Sequence, residues 1–251
     1  MTARSAEPDA ADAELPGHRV ELRHARLLVL GANGPTGRHL VRQALGRGYR
    51  THALTRHPET FPIHHDRLDV IAGDATDEST IDAVVADSDA VVCTIGTSFT
   101  RHPVRVYSAT AHQLVEAMRR HDKRRLVVVT SASLTPSDQS GRTVGKACRS
   151  LMRNYVGKTV YDDMAEMEAL VSVSGLDWTI VRPPGLTDEA GAGYAVEETE
   201  VKGGFCSRED LAAMLLDQLQ DDRFLRKVAA VATPGLRVGA LHMLRHEVLK
   251  R

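Results

Sequence analysis

Short apolar runs alternate with longer amphipathic stretches along most of this chain. Apolar runs of four to seven residues are typical of strands that are buried on both faces of a sheet. Stretches such as 107–121, with apolar residues every three or four positions, are typical of helices that cover one face of a sheet. The pattern predicts seven strands, at 26–30, 49–55, 68–72, 90–94, 126–129, 178–181 and 228–231.

Helices are predicted between most of these strands. Ser207 has the character of a helix N-cap, and Asp210, three residues later, completes a variant of the capping box. Residues 134–150 are polar and predict a loop. The alternation predicts an α/β fold, a Rossmann-like, doubly wound and mostly parallel sheet with helices on both faces. Helices are expected at about 35–45, 81–85, 107–121, 156–174 and 238–250, and after Ser207.

Composition places the chain among ordinary globular proteins. Its 251 residues suffice for one domain, predicted at 25–251, after a disordered tail at 1–24. A net charge of −1 gives no reason to expect nucleic acid or a membrane as partner.

The widely separated Cys93, Cys148 and Cys206 fit a reducing cytoplasm and lack the spacing of a metal site. We expect a small-molecule substrate, and either a monomer or a homodimer.

A glycine-rich segment follows the first predicted strand and opens a helix. Glycines let the backbone approach a pyrophosphate closely, and the first N–H groups of a helix favour anions. Proline is well suited to the first helical position. A glycine triplet has meaning only in such a context. The segment therefore predicts a dinucleotide site formed by Gly31, Asn33, Gly34, Pro35, Thr36 and Gly37.

The tip of the second strand indicates which dinucleotide binds. An NAD site usually has an acidic residue there for the ribose 2′-hydroxyl, and such a residue would repel a 2′-phosphate. This chain has Arg56 there and no acid before Glu59. A guanidinium pairs well with a phosphate. We therefore expect NADP (NADPH), with NAD less favoured.

Two further strand ends are predicted to meet the adenosine half of the cofactor. Asp74 is placed to accept a hydrogen bond from the adenine amino group, or to cap a turn, and Ala75 is expected to pack on the ring. Ile95, Gly96 and Thr97 follow the fourth strand, where a glycine again permits close approach.

Several motifs carry a resemblance to a known family. The chain resembles the atypical short-chain dehydrogenases/reductases, in the NAD(P)H-binding group that contains the NmrA-like proteins. Within that group it is most similar to the biliverdin-IXβ reductase/flavin reductases. The motifs are Gly31–Gly37, Gly73-Asp74, Thr130-Ser131-Ala132, Tyr161-Asp162-Asp163-Met164, Ser174–Thr179, Arg182–Leu186 and Ser207–Leu211.

The resemblance implies a Rossmann-like fold, NADPH as hydride donor and a shallow substrate pocket above the nicotinamide. It places Ser131 beside the nicotinamide and the substrate, and Pro184 and Gly185 along the pocket. The chain departs from the flavin reductases at Met164 and Gly185, where those enzymes have histidines. The resemblance therefore implies hydride transfer without naming the acceptor.

The sequence lacks the Tyr-x-x-x-Lys pair that lowers the pKa of a catalytic tyrosine in ordinary short-chain dehydrogenases. Tyr155 has Lys158 three residues later, and Tyr161 has Ala165 four residues later. Both tyrosines remain candidate acids, with helix packing as the alternative. Ser131, at the carboxyl end of the fifth strand, is the third catalytic candidate.

These observations leave three hypotheses. The first is an NADPH-dependent reductase that transfers hydride to an electron-poor acceptor such as a flavin, a quinone or a conjugated carbonyl. The second is a regulator that senses NADP(H) without turnover. The third is a carbonyl dehydrogenase or epimerase that uses Tyr155 or Tyr161 as its acid.

Overall fold

A computed structural model of the protein describes residues 25–100, 102–135 and 157–236. The predicted tail, the predicted C-terminal helix, most of the predicted loop at 134–150, and Tyr155 lie outside these residues. The helices are α1 (Pro35–Gly46), α2 (Glu78–Ala86), α3 (Val106–Arg120), α4 (Lys158–Ser172) and α5 (Arg208–Asp217). The strands are β1 (Arg26–Leu30), β2 (Arg50–Thr55), β3 (Leu68–Ala72), β4 (Ala90–Cys93), β5 (Arg125–Val129), β6 (Asp177–Arg182), β7 (Gly185–Thr187), β8 (Ala195–Glu197), β9 (Phe205–Ser207) and β10 (Lys227–Ala232).

Eight strands form the main sheet in the order β3-β2-β1-β4-β5-β6-β10-β8. Neighbouring strands are parallel except β8, which runs antiparallel to β10. The strand order reverses between β1 and β4, and in open α/β sheets ligands bind in the crevice at such a reversal. The predicted Rossmann-like fold is thereby confirmed.

Period-two alternation in the strands separates two cores. Leu27 and Val29 of β1 pack on the face that is covered by α1 and α5. Leu28 and Leu30 pack on the other face, with α2, α3 and α4. Successive side chains of a strand point to opposite faces, so an apolar run in a central strand contributes to both cores.

The seven predicted strands are present, each within one residue of its predicted ends. Three short strands, β7, β8 and β9, were not predicted, because three residues carry too little periodicity. Helix α2 begins three residues before its predicted start, since Asp77 Oδ2 accepts a hydrogen bond from Thr80 N at 2.8 Å and caps the helix.

The predicted capping box at α5 is wrong. Ser207 Oγ does accept a bond from Glu209 N at 3.2 Å, but Asp210 does not reach back to Ser207. Its carboxylate accepts bonds from Thr233 Oγ1 at 2.6 Å and from Gly193 N at 3.0 Å. Asp210 therefore fastens the loop before β8 to the end of β10. Within the described residues, no helix is long and apolar enough to cross a membrane.

Two cysteines are buried in these cores, and burial raises the pKa of both Cys93 and Cys206 to about 12. Because the thiolate is the reactive form, we expect neither residue to react with Ellman's reagent at pH 8 while the protein is folded. A Cys148→Ser variant leaves only these two cysteines in the chain. The native variant should give no reaction with the reagent. In guanidinium chloride it should react with the stoichiometry of two thiols per chain. A fast reaction of either thiol in the native protein would contradict the burial.

Candidate functional site

The glycine-rich loop connects β1 to α1 at the point where three backbone segments meet. Gly31 has a φ of +74°, and a Cβ atom there would lie 2.6 Å from the carbonyl oxygen of Thr94. A Cβ atom on Gly37 would lie 2.2 Å from the carbonyl oxygen of Gly31. Gly34 N donates a hydrogen bond to the same oxygen at 3.0 Å. Only glycine fits at positions 31 and 37, so the loop presents bare backbone to the crevice.

Helix α1 begins without a side-chain cap. Gly34 is its N-cap, Pro35 has no N–H, and no acidic residue occupies the first turn. The first N–H groups of any helix have no intrahelical acceptor, and here no side chain of the first turn caps them. The positive end of the helix dipole lies at the same place. Gly34, Pro35 and Thr36 line the crevice. This arrangement suits a diphosphate, and the residues present therefore fit the predicted dinucleotide.

Gly37 is not part of the cleft lining, and its lack of a side chain lets α1 approach the loop. Its contact with the cofactor stays a prediction. Asn33 does line the cleft, yet its side chain is engaged within the protein. Its Nδ2 donates to Thr60 Oγ1 at 3.1 Å, and its Oδ1 accepts from Arg38 at 2.8 Å. Asn33 thus joins the glycine loop to the segment after β2. No sequence motif pointed to Arg38.

At the β2 and β3 side of the cleft, the structure brings Arg56 and Asp74 to the same wall. Arg56 is exposed and has no hydrogen bond or ion pair among the described residues. Asp74 Oδ1 accepts bonds from Thr76 N at 2.8 Å and Thr76 Oγ1 at 2.7 Å. These bonds, with a smaller contribution from Arg56, hold the pKa of the Asp74 carboxyl below its usual value. Asp74 is therefore a turn cap that also lines the cleft, beside Ala75.

The opposite end of the cleft lies beyond β4 and contains the predicted substrate residues. Ser131 follows β5, and its Oγ accepts a bond from Ser133 N at 3.2 Å. The Tyr161 ring, 7% exposed, packs against the Phe99 ring with their centroids 5.8 Å apart. A Cβ atom on Gly157 would lie within 3 Å of both rings, so that packing requires a glycine. Pro184 and Gly185 also line the cleft, as predicted. Ile95, Gly96 and Thr97, which were predicted to meet the adenosine half of the cofactor, line it as well.

A largely buried ion pair supports this end of the cleft. Arg182 donates from Nε to Glu168 Oε1 at 2.9 Å, and Thr130 Oγ1 donates to the same oxygen at 2.6 Å. The two charged side chains are 16% and 12% exposed. Pairing satisfies both charges, and it joins α4 to the ends of β5 and β6, next to Ser131 and Pro184. Neither periodicity nor a motif of the sequence indicates Glu168.

A second buried carboxylate joins α4 to α3. Asp163 accepts bonds from Tyr107 N at 2.8 Å and Ser108 N at 3.1 Å, and thus caps α3 from another helix. The Tyr107 hydroxyl accepts a bond from Thr97 N at 3.2 Å, and burial raises the pKa of Tyr107 to about 12. Asp162 instead pairs with Lys158 on the exposed side of α4. Asp162 and Asp163 therefore form no carboxylate pair for acid–base chemistry.

Together these walls enclose a cleft of about 1510 Å³ along the carboxyl ends of the parallel strands. A cleft of this size accommodates a dinucleotide together with a small second molecule. Every predicted site residue within the described ranges lines it, except Gly37.

Comparison with known proteins agrees with this geometry. A family described as NAD(P)H-binding matches residues 31–222. The chain belongs to this NAD(P)H-binding family. The match confirms the predicted resemblance to that group and supports a nicotinamide dinucleotide as cofactor.

Two curated relatives are themselves uncharacterized. A chloroplastic protein of Arabidopsis thaliana is 29% identical over 218 residues, which are 82% of this chain and 76% of that protein. A sugar epimerase of Bacillus subtilis, YhfK, is 36% identical over 67 residues, which are 27% of this chain and 28% of that protein.

Solved structures share the fold at low sequence identity. One is a short-chain dehydrogenase/reductase from Veillonella parvula in complex with NADP, with a TM-score of 0.70, 21% identity, and coverage of 84% of this chain and 95% of that chain. Another is ChuY, an anaerobillin reductase from Escherichia coli O157:H7, with a TM-score of 0.66, 21% identity, and coverage of 85% and 100%.

We expect a Gly34→Glu variant to fold and to lose NADPH. The backbone at Gly34 has a φ of −70° and a ψ of 163°, which any residue adopts, and a Cβ atom would lie 3.1 Å from the nearest atom. The added carboxylate would occupy the phosphate position and repel the diphosphate, so the Kd should rise by about a hundredfold or more. Fluorescence titration measures the Kd, and circular dichroism checks the fold.

Gly34→Ala is the matched control for this variant. It adds the Cβ atom without the charge or the bulk, and it should bind NADPH within about tenfold of the parent. Parental affinity in Gly34→Glu would show that the diphosphate does not bind at this loop.

Proposed function

We propose that the protein is an NADPH-dependent oxidoreductase that reduces a small, electron-poor acceptor. The observation that carries the proposal is the cleft itself, which joins the bare glycine loop and the unpaired Arg56 at one end to Ser131 and Tyr161 at the other. Membership of the NAD(P)H-binding family supports the cofactor class. The NADP complex and the reductase among the structural neighbours are consistent with the reaction class.

Each part of the cleft has a defined task in this proposal. The first amides of α1 hold the diphosphate, and Arg56 pairs with the 2′-phosphate. When bound, the nicotinamide supplies a hydride to the acceptor. Pro184 and Gly185 keep one side of the nicotinamide site flat and apolar. Ser131 donates its hydroxyl proton in a hydrogen bond to the acceptor or to the nicotinamide amide, which fixes the relative orientation of the two molecules.

The groups available for proton donation favour an acceptor that needs no strong acid from the protein. The residue four positions after Tyr161 is Ala165, and Lys158 is engaged with Asp162. Among the described residues, neither of these positions therefore supplies an ammonium group to the Tyr161 hydroxyl. Flavins, quinones and conjugated carbonyls accept a hydride and can take a proton from water. The geometry thus favours such acceptors over simple ketones.

Arg56 is expected to select NADPH over NADH. An Arg56→Ala variant loses a charge-assisted hydrogen bond to the 2′-phosphate, worth about 1.5–3 kcal/mol, so the Kd for NADPH should rise about 10- to 100-fold. The Kd for NADH, which lacks that phosphate, should stay within about twofold. Arg50→Ala, at the amino end of the same strand, is the control and should change neither Kd. Equal losses for the two cofactors in Arg56→Ala would refute the assignment.

A screen of acceptors that follows NADPH absorbance tests the reaction class. We expect turnover with at least one flavin, quinone or enone, and we expect Tyr161→Phe to retain it within about tenfold, since no protein acid is required. Ser131→Ala should lower kcat/KM by about 10- to 100-fold with little effect on the Kd of NADPH.

Two other outcomes would replace the proposal. If Tyr161→Phe abolishes activity while the cofactor still binds, the protein is a carbonyl dehydrogenase or epimerase with Tyr161 as its acid. If NADPH binds tightly and no acceptor is reduced above background, the protein is an NADP(H)-sensing regulator.

A further inference from the structure

Four arginines line the cleft, and two of them are paired inside the protein. Arg182 is bound to Glu168, and Arg208 donates to Asp188 at 2.8 Å. Arg56, at the end of β2, is assigned to the cofactor. Arg105 is exposed, and its side chain forms no hydrogen bond or ion pair with any described residue. The proposed cofactor contacts therefore leave the charge of Arg105 unused.

Arg105 lines the cleft at the amino end of α3, the helix that packs against α4. Thr159 Oγ1 of α4 donates to the carbonyl oxygen of Thr100 at 2.8 Å, and Phe99 packs against Tyr161. Arg105 is the last residue of this segment and the N-cap of α3. Arg56 follows β2 and Arg105 belongs to the connection after β4, and β1 lies between these two strands in the sheet.

The local structure does not explain a cation at this position. The amino end of a helix carries partial positive charge, so an arginine there is electrostatically unfavourable. The one buried carboxylate at this helix end, Asp163, already uses both oxygens on the amides of Tyr107 and Ser108. Within the described residues no anion remains for Arg105. Local conflicts of this kind concentrate at functional sites, where a ligand resolves them.

Phe99 adds an apolar surface to the same wall. It is 39% exposed, and in the described part of the chain the only other large apolar side chain that is exposed is Val173, which follows α4 and does not line the cleft. The Phe99 ring packs against the Tyr161 ring and close to Gly157, where a side chain would leave no room for it. A fixed aromatic ring that faces a cleft is suited to packing against a flat, conjugated molecule.

A carboxylate on another segment of the cleft lining bears on the orientation of such a molecule. Glu200 lies on the segment before β9 and also lines the cleft. Its carboxylate would repel an anion, whereas Arg105 would attract one. A bound anion is therefore favoured on the α3 side of the cleft and disfavoured on the β9 side.

We propose that the acceptor is a planar, conjugated molecule with an anionic group, and that Arg105 binds the anion while Phe99 packs on the ring. This inference rests on the proposed reductase function and names the substrate class of the same site. A carboxylate, a sulfonate or a phosphate group would satisfy Arg105, since each accepts paired N–H donors from a guanidinium.

The test uses two pairs of acceptors that differ in an anionic group: FMN against riboflavin, and 1,4-naphthoquinone-2-sulfonate against 2-methyl-1,4-naphthoquinone. Binding to the protein saturated with NADP⁺ is measured by calorimetry, and KM and kcat are measured with NADPH. We expect the parent protein to prefer the anionic member of at least one pair by about tenfold or more. Arg105→Gln should remove this preference by raising the Kd and the KM of the anionic member alone, with kcat and NADPH affinity nearly unchanged.

Three further variants separate charge from packing. Arg105→Lys should restore part of the preference, because it keeps the charge and loses the planar fork. Phe99→Leu should weaken both members of a pair to a similar extent, since stacking does not depend on the anion. Arg50→Gln removes the same charge at the amino end of β2, away from the cleft, and should change neither Kd.

The outcomes distinguish this inference from the reductase function. If both members of each pair bind equally, if neither binds, or if Arg105→Gln leaves the preference intact, the inference is overturned, whether or not acceptors are reduced. If the anionic member binds through Arg105 but no hydride transfer occurs, the anion site stands and the reductase function fails.

Discussion

The structure depends on the close contact of three backbone segments at the end of β1. Gly31 lies against the end of β4, and Gly37 lies against Gly31, at separations that leave no room for a side chain. This contact brings the amino end of α1 directly over the reversal of strand order, where the parallel strands leave a crevice. Any Cβ atom at either glycine would push α1 away and move its first amides away from the cleft.

The two ends of the cleft are built in different ways. At the proposed cofactor end, the walls consist mainly of backbone amides and turn-forming residues. This end is therefore specified by short, local segments of the sequence. At the substrate end, the walls are held by contacts between distant helices and strands, chiefly the Glu168–Arg182 pair and the Asp163 cap of α3. Such buried charges are tolerated because each is matched by hydrogen bonds, and losing one partner would leave the other unsatisfied.

This difference explains which site residues could be predicted. Gly31, Gly34 and Arg56 were predicted because their spacing after a buried strand is set by chain geometry alone. Glu168 and Arg105 carry no such signal. An acid within an amphipathic helix and an arginine after a loop are common on exposed surfaces. Only the packing of α3 against α4 and of α4 against the sheet brings Arg105 to the cleft wall and Glu168 to Arg182, which lines the cleft. Asp210 shows the same limit, since its spacing from Ser207 fits a local cap while its bonds go to Thr233 and the loop before β8.

By itself the sequence determined the number of the long strands and nearly their limits, the burial of β1 on both faces, and the position of the glycine-rich loop. These features follow from local periodicity and from the conformational freedom of glycine. Only the tertiary structure decided the order of the strands, the short β7, β8 and β9, and the ionic supports of the substrate end. Those features depend on contacts between residues that are remote in the chain, and local side-chain patterns do not specify which remote partners will meet.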